Sequence, residues 1–319
     1  MAEMNSVVGA LLVALLWWIP GLQDSKTPGP VDLVIRDAPR ARNIPVLIYL
    51  PSDTKPAPVV LFSHGLGGDR TGSAYFGQHL AKSGYVGVFL QHPGSDDSVW
   101  RDVPLLRRMA ALRAAANAEQ FLQRTADVRV VLDTLTKWQA DPAHQLRGRL
   151  DLDRVAMSGH SFGAVTTQAV SGQSAAVQGK RLTDPRIKAA IIMSPSLPAT
   201  GTPEHAFGSV TIPWLLMTGT RDEAAIGDAT AQSRLGVFPA LPPGGKYELV
   251  LFDGQHSAFT DRDLPGDRVG RNPKHHTAIN AIATAFLDAW LRKDPVARAW
   301  LDGDGPRSVL DPRDTWKKK

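Results

Sequence analysis

The stretch "VAMSGHSFGAVTTQAV", residues 155–170, decides how this chain is read. It runs from four β-compatible residues to Ser161, which has a glycine two positions away on either side, and then into small residues able to open a helix. Ser161 is either a nucleophile on a strained strand-to-helix turn or an ordinary serine in a glycine-rich loop. A Gly-x-Ser-x-Gly pattern arises by chance often enough that its letters alone settle little. The choice rests on context: a strand before it, a helix after it, an oxyanion-binding loop upstream, and an acid and then a histidine downstream.

Strand-like segments lie at 31–35, 45–50, 58–63, 85–91, 154–158, 187–194, 213–219 and 247–253. From "PVVLFS" (58–63) onward most are nearly continuous apolar runs, the pattern of strands buried on both faces of a parallel sheet. Helical segments fill the gaps at 73–83, 162–172, 276–292 and from about 115 to 138, where Phe121, Val128, Val131, Leu132 and Leu135 recur at helical spacing. Alternating β and α after an opening pair of strands predicts an α/β fold, a mostly parallel, doubly wound sheet with helices on both faces. No internal repeat or linker interrupts it, so residues 23–319 are expected to form a single domain. Residues 94–114, and 196–245 apart from the strand at 213–219, look like insertions. Loops at the carboxyl ends of such strands line the ligand crevice. Trp100, Leu197, Phe207 and Phe238 are therefore candidate pocket residues, each equally well explained by packing.

The bulk numbers narrow the class. With 319 residues, 43% hydrophobic and 21% charged, the chain has the make-up of an ordinary globule with ample core. The net charge is +5, but the basic residues are scattered. The one dense run, Lys317-Lys318-Lys319, reads as a solvated tail, so no nucleic-acid partner is expected. The absence of cysteine removes disulfides, thiolate nucleophiles and cysteine metal sites. Near the N-terminus, "SVVGALLVALLWWI" (6–19) is short for a bilayer span but suits the core of a signal peptide. Pro20 and Gly21 end it and a polar, proline-rich stretch follows, although Glu3 rather than a basic residue precedes it and no clean cleavage site stands out. Residues 1–22 are read as a signal peptide or a retained membrane anchor, with a buried first helix as the alternative. Export to the periplasm or exterior, or membrane attachment, is the corresponding expectation.

With that order in place the quoted stretch becomes "RVAMS" as a strand, Ser161 at a sharp turn, and "FGAVTTQAV" as a helix. Gly159 and Gly163 then have a reason, because side chains there would collide with the neighbouring strand and helix. Upstream, "LFSHGLGG" (61–68) follows a buried strand, and the N–H of Leu66 paired with that of Phe162 would make a two-donor oxyanion hole. A dinucleotide-binding loop would need a third glycine at position 70, which is Arg70. Downstream, "TGTRDEAAIGD" carries Asp222 just past a strand and "FDGQHSAF" carries His256 just past the next. Glu223, Asp228 and Asp253 compete for the acid role. A neutral histidine can take the serine proton and return it to the leaving group, while the acid fixes its tautomer. Of the other histidines, His160 reads as packing beside the nucleophile, His64 as a brace of the oxyanion loop, His92 as a residue able to touch substrate, and His275-His276 as surface. No histidine pair has metal-ligand spacing joined to a carboxylate, so neither a metal nor another cofactor is expected.

On "FSHGLGG", "GHSFG", "TGTRD" and "GQHSAF" the chain resembles the α/β-hydrolase superfamily from about residue 40 to 293. More narrowly, it resembles esterases similar to platelet-activating-factor acetylhydrolases, chlorophyllases and dienelactone-hydrolase-like proteins. Two departures stand out: true dienelactone hydrolases use a cysteine nucleophile, and Ala164 stands where the acetylhydrolases tend to carry another glycine. The resemblance implies a serine carboxylic-ester hydrolase acting through an acyl-enzyme on small or lipid-like esters. A polyester hydrolase, an amidase or acyltransferase on the same residues, and a catalytically silent binding protein remain as alternatives.

Overall fold

The computed structural model describes residues 27–174, 176–177, 180–264 and 266–319; the apolar run at 6–19 lies outside the described residues. Among the described residues, a nine-stranded sheet carries the fold. Its strands are β1 (Val31–Asp37), β2 (Arg42–Tyr49), β3 (Ala57–Ser63), β4 (Val86–Leu90), β5 (Leu150–His160), β6 (Ile187–Met193), β7 (Trp214–Arg221), β8 (Lys246–Gln255) and β9 (Thr315–Lys318). In space they run β1-β2-β4-β3-β5-β6-β7-β8-β9. The block from β4 to β8 is parallel throughout, while β1, β2 and β9 run antiparallel to their neighbours. Crossovers between parallel strands need helices: α1 (Ala74–Lys82), α2 (Leu105–Ala115), α3 (Ala118–Ala140) and α4 (Phe162–Val170) serve there, while α5 (Pro273–Trp290) and α6 (Pro295–Asp302) lie between β8 and the antiparallel β9.

Strand periodicity sorts the core into layers. All seven residues of β3 are buried, as its unbroken apolar run predicts for a strand with both faces covered. Val60 and Phe62 point into one cluster with Phe76 and Leu80 of α1 and Ile279, Ile282 and Phe286 of α5. Val59 and Leu61 point the other way, onto Val128, Val131, Leu132 and Leu135 of α3. Each such side chain removed from water stabilises the fold by roughly 1.5–3 kcal/mol. Capping agrees with the sequence: Asn117 accepts the Gln120 N–H at the start of α3, and Asn272 does the same for Lys274 before Pro273 opens α5.

Three expectations need correcting. The lysine run is not a solvated tail, for it belongs to β9, which pairs Tyr247 with Lys318 and Val250 with Thr315 at the edge of the sheet. Lys317 reaches Glu248 at 2.8 Å, and Trp316 stacks on Tyr247 with ring centroids 5.5 Å apart. Lysines on an outer edge are how sheets discourage further strand pairing. The insertion at 94–114 contains α2, and 196–245 contains the short helices Pro203–Phe207, Ala231–Arg234 and Val237–Ala240. His275 and His276 are not simply surface: His275 is buried with Nε2 3.0 Å from the Phe252 carbonyl, and His276 stacks on Tyr75 at 3.6 Å. Among the described residues, no helix is long and apolar enough to cross a membrane.

Candidate active site

The carboxyl ends of β3, β5, β7 and β8 bring the four sequence motifs together. At the end of β5, Ser161 has φ 57° and ψ −116°, a conformation non-glycine residues hold only when their surroundings enforce it. The enforcement is visible. Its N–H donates to the Met193 carbonyl at 3.0 Å, and its own carbonyl accepts from Ala164 and Val165 in the first turn of α4. A Cβ at Gly163 would come within 1.8 Å of the Ser63 carbonyl oxygen, and one at Gly159 within 2.4 Å of the Gly163 carbonyl oxygen. Only glycine permits β3, β5 and α4 to approach this closely.

His256 opens the short turn after β8, and its Nε2 lies 2.9 Å from Ser161 Oγ. Its Nδ1 lies 2.7 Å from Asp222 Oδ1, in the loop after β7. The other carboxylate oxygen of Asp222 accepts the Thr218 hydroxyl at 2.8 Å. Arg234 closes the set: its Nε donates to the Asp222 backbone carbonyl at 2.8 Å and stands 3.1 Å from Oδ1, and its Nη2 is 3.4 Å from His256 Nδ1. Burial favours the neutral acid, but the His256 hydrogen bond and the charges of His256 and Arg234 hold the Asp222 carboxyl well below the usual range. It is an anion at any pH near neutral, and it holds His256 with Nδ1–H toward it and Nε2 free to accept the serine proton. The rival acids lie elsewhere. Asp253 pairs with Arg221 at 2.7 Å, and Glu223 and Asp228 are exposed.

The Gly-rich loop after β3 lies against Ser161, since a Cβ on Gly65 would be 3.3 Å from Ser161 Cβ. Among the described residues, neither the Leu66 N–H nor the Phe162 N–H is taken up by another hydrogen bond. The helix N-terminus at Phe162 favours negative charge there. His64 does brace this loop: Nδ1–H donates to the Gly65 carbonyl at 2.6 Å, and Nε2 accepts the His92 N–H at 3.0 Å.

The pocket candidates divide. Trp100 lies beside the site, its indole N–H donating to the Gly67 carbonyl at 2.7 Å, and Leu197 is 38% exposed in the loop after β6. Phe207 is wholly buried against Trp214 and Phe238 sits in the same apolar cluster, so neither lines a pocket. His92 is also wholly buried, with both ring nitrogens occupied by Ser63 and Asp127, and cannot touch substrate. Among the described residues, no group of three metal-ligating side chains could hold an ion.

Sequence reasoning missed Arg234, Arg124 and Asp127. The last two left a signal, because Arg124 falls in phase with Val128, Val131 and Leu135 on the buried face of α3. A charge in an apolar stripe demands a partner.

The buried histidines make the fold acid-sensitive. Burial, with the charge of Arg124 adding to it, lowers His92 to about 4; burial also drives His64 and His160 well below their ordinary range. Each stays neutral in the folded state while its unfolded counterpart, near 6.5, takes a proton. The unfolded chain then binds more protons, so stability is fully present above roughly pH 6.5 and is lost as the pH falls toward 4. Each histidine adds a slope on the order of 1 kcal/mol per pH unit. Melting temperatures should drop steadily between pH 7 and 4; a flat profile would show these rings to be solvated.

The comparisons bear on the fold and on the segment that carries Leu66 and Ser161. Residues 48–193 match the family model of platelet-activating factor acetylhydrolase, isoform II. That segment is less than half of the chain and contains Leu66 and Ser161 but ends before Asp222 and His256. No curated protein sequence matches. Among solved structures, a ferulic acid esterase from Streptomyces cinnamoneus is similar with a TM-score of 0.61 and 21% identity, over 92% of this chain and 98% of that one. This likeness shows the fold. With the family match, it shows an α/β-hydrolase fold that is similar, from the end of β2 to the end of β6, to the platelet-activating factor acetylhydrolases of isoform II.

Proposed function

We propose that Ser161, His256 and Asp222 form the catalytic triad of a carboxylic-ester hydrolase acting on small or lipid-like esters through an acyl-enzyme. The observation that carries this reading is the hydrogen-bonded chain from Ser161 Oγ to His256 to Asp222, 2.9 and 2.7 Å per link, at a strained turn. Ser161 Oγ attacks the ester carbonyl carbon while His256 Nε2 takes its proton. The carbonyl oxygen gains the negative charge and is held by the N–H groups of Leu66 and Phe162. As the tetrahedral intermediate collapses, the C–O bond to the alcohol breaks and the alcohol leaves with the proton from His256. Water then repeats the sequence on the acyl-enzyme. Asp222 balances the imidazolium throughout, and no cofactor enters any step.

A panel of p-nitrophenyl esters of increasing acyl length, with methyl ferulate and a p-nitroanilide of matched acyl group, tests the reading. Short and medium esters are expected to turn over and the anilide to be a far poorer substrate. Equal or faster anilide cleavage would make the protein an amidase instead. The apolar run at 6–19 supports export as the accompanying proposal, and a fusion of residues 1–22 to a reporter would locate it.

A further inference from the structure

A second serine–histidine–aspartate set stands behind the first. Ser63 Oγ lies 2.9 Å from His92 Nε2, and His92 Nδ1 lies 2.9 Å from Asp127 Oδ2, nearly the spacings of the catalytic set. All three residues are fully buried, so no ester can reach the hydroxyl. Its oxygen is also engaged by Arg124 Nη2 at 2.9 Å. Asp127 is saturated with donors: Arg42 grips both oxygens at 2.8 and 2.9 Å, and Arg40 reaches Oδ1 at 2.8 Å. This chain therefore does not react. It fixes the place of Arg124.

Arg124 spends its guanidinium on both sides of the candidate oxyanion hole. Toward the Gly-rich loop, Nη2 donates to the His64 carbonyl as well as to Ser63, and Nη1 donates to Ser95 Oγ at 2.9 Å. Toward the nucleophile helix, Nε donates to Thr166 Oγ1 at 3.1 Å, and the guanidinium carbon lies 4.7 Å from the centre of the Phe162 ring. Thr166 in turn donates to the Phe162 carbonyl. On the loop side the restraint passes along the backbone. With the His64 carbonyl held, its ring pins the Gly65 carbonyl, which also accepts the Gly68 N–H at 3.1 Å. The Gly65 carbonyl and the Leu66 N–H are opposite edges of one planar trans peptide, so pinning the first aims the second.

We propose that Arg124 is a positioning residue that sets the separation and direction of the two oxyanion donors, Leu66 N–H and Phe162 N–H, by clamping the loop after β3 to helix α4. The proposal rests on the triad reading above. A rigid planar fork with five donors holds acceptors on two elements in fixed directions, whereas a lysine ammonium offers three donors that rotate freely on a flexible stem. Burial lowers Arg124 to about 9, with the Asp127 charge opposing, so it stays protonated at neutral pH.

The test compares Arg124→Met, Arg124→Lys and the double variant Ser95→Ala/Thr166→Val, which removes two acceptors and leaves the arginine. Each is assayed on p-nitrophenyl butyrate and for inhibition by a trifluoromethyl ketone, whose adduct with serine places an oxyanion in the hole. Misplacing catalytic donors by about an ångström costs on the order of 100-fold. Arg124→Met and Arg124→Lys are expected to lose kcat by about that factor with KM within threefold, and to lose ketone affinity in proportion. The double variant should lose kcat several-fold in the same pattern, and it decides the matter if Arg124→Met fails to fold. Folded variants that keep kcat and ketone affinity overturn the proposal. So does a loss confined to melting temperature or KM, and so does full rescue by lysine, which would make the role one of charge alone. A wild-type protein that neither hydrolyses the ester nor binds the ketone overturns the triad reading along with it; an active wild type with indifferent variants overturns this proposal alone.

Discussion

Replacing Ser161 with alanine is expected to lower turnover about a million-fold, the loss typical when the nucleophile of a serine triad is removed. The fold should survive. The Ser161 hydroxyl meets His256 at the open end of the set, whereas the strained turn is enforced by backbone bonds and by the closeness of Gly163 to β3, neither of which involves the hydroxyl. Ser161→Gly, which relieves the cost of a positive φ, is expected to melt above Ser161→Ala while being equally inactive. A fluorophosphonate probe should label the wild type and neither variant. Equal labelling of wild type and variants would place the nucleophile elsewhere.

What the sequence made legible follows from the range of the interactions involved. The turn at Ser161 and the Gly-rich loop left a local signature, glycines at fixed spacing after an apolar strand, although the contacts that demand those glycines, such as Gly163 against Ser63, are long-range. Continuous apolar runs such as β3 announced a sheet covered on both faces, and layers fed by alternate residues are the result. The edge strand β9 was missed because a basic run at a chain end also looks like a solvated one. Its strand character comes from pairing with β8 and from Trp316 stacking on Tyr247, which no local pattern announces. His92 was misjudged for a related reason. A histidine at a strand end near a cleft looks available, and only the long-range partners Ser63 and Asp127 reveal that both its nitrogens are engaged. Arg124 meets Ser63 across 61 positions of sequence and Arg234 meets His256 across 22, so their roles come from topology rather than from motifs.

The acid is where the structure sharpens the expected chemistry most, because Asp222 does not act on His256 alone. Asp222→Asn is expected to reduce turnover by at least about ten-thousand-fold, the scale seen when the triad aspartate of a serine protease is made neutral. Two effects combine. An asparagine presenting its NH2 group to His256 Nδ1 selects the tautomer with the proton on Nε2, which cannot accept from Ser161. An asparagine turned the other way restores the tautomer by giving its NH2 to Thr218, but the negative charge is still gone. In the wild type that charge also offsets Arg234, whose Nε is 3.1 Å from Oδ1. Without it, the guanidinium stands uncompensated 3.4 Å from His256 Nδ1 and opposes the imidazolium that must form as Ser161 attacks. A serine protease lacking such an arginine loses the tautomer control and the countercharge but not this added repulsion. Removing the arginine as well should therefore help: Asp222→Asn/Arg234→Gln is expected to be several-fold more active than Asp222→Asn alone, although Arg234→Gln by itself lowers activity by freeing the loop at Ser194 and Pro195. Glu223→Gln and Asp228→Asn, both exposed, and Asp253→Asn, half-buried and paired with Arg221, should each cost less than tenfold. The measurement is kcat for the wild type and these six variants on one ester at neutral pH. If Asp222→Asn stays active while one of the other three acids proves crippling, the acid is misassigned; if the double variant is no better than the single, Arg234 is a structural brace without influence on proton transfer.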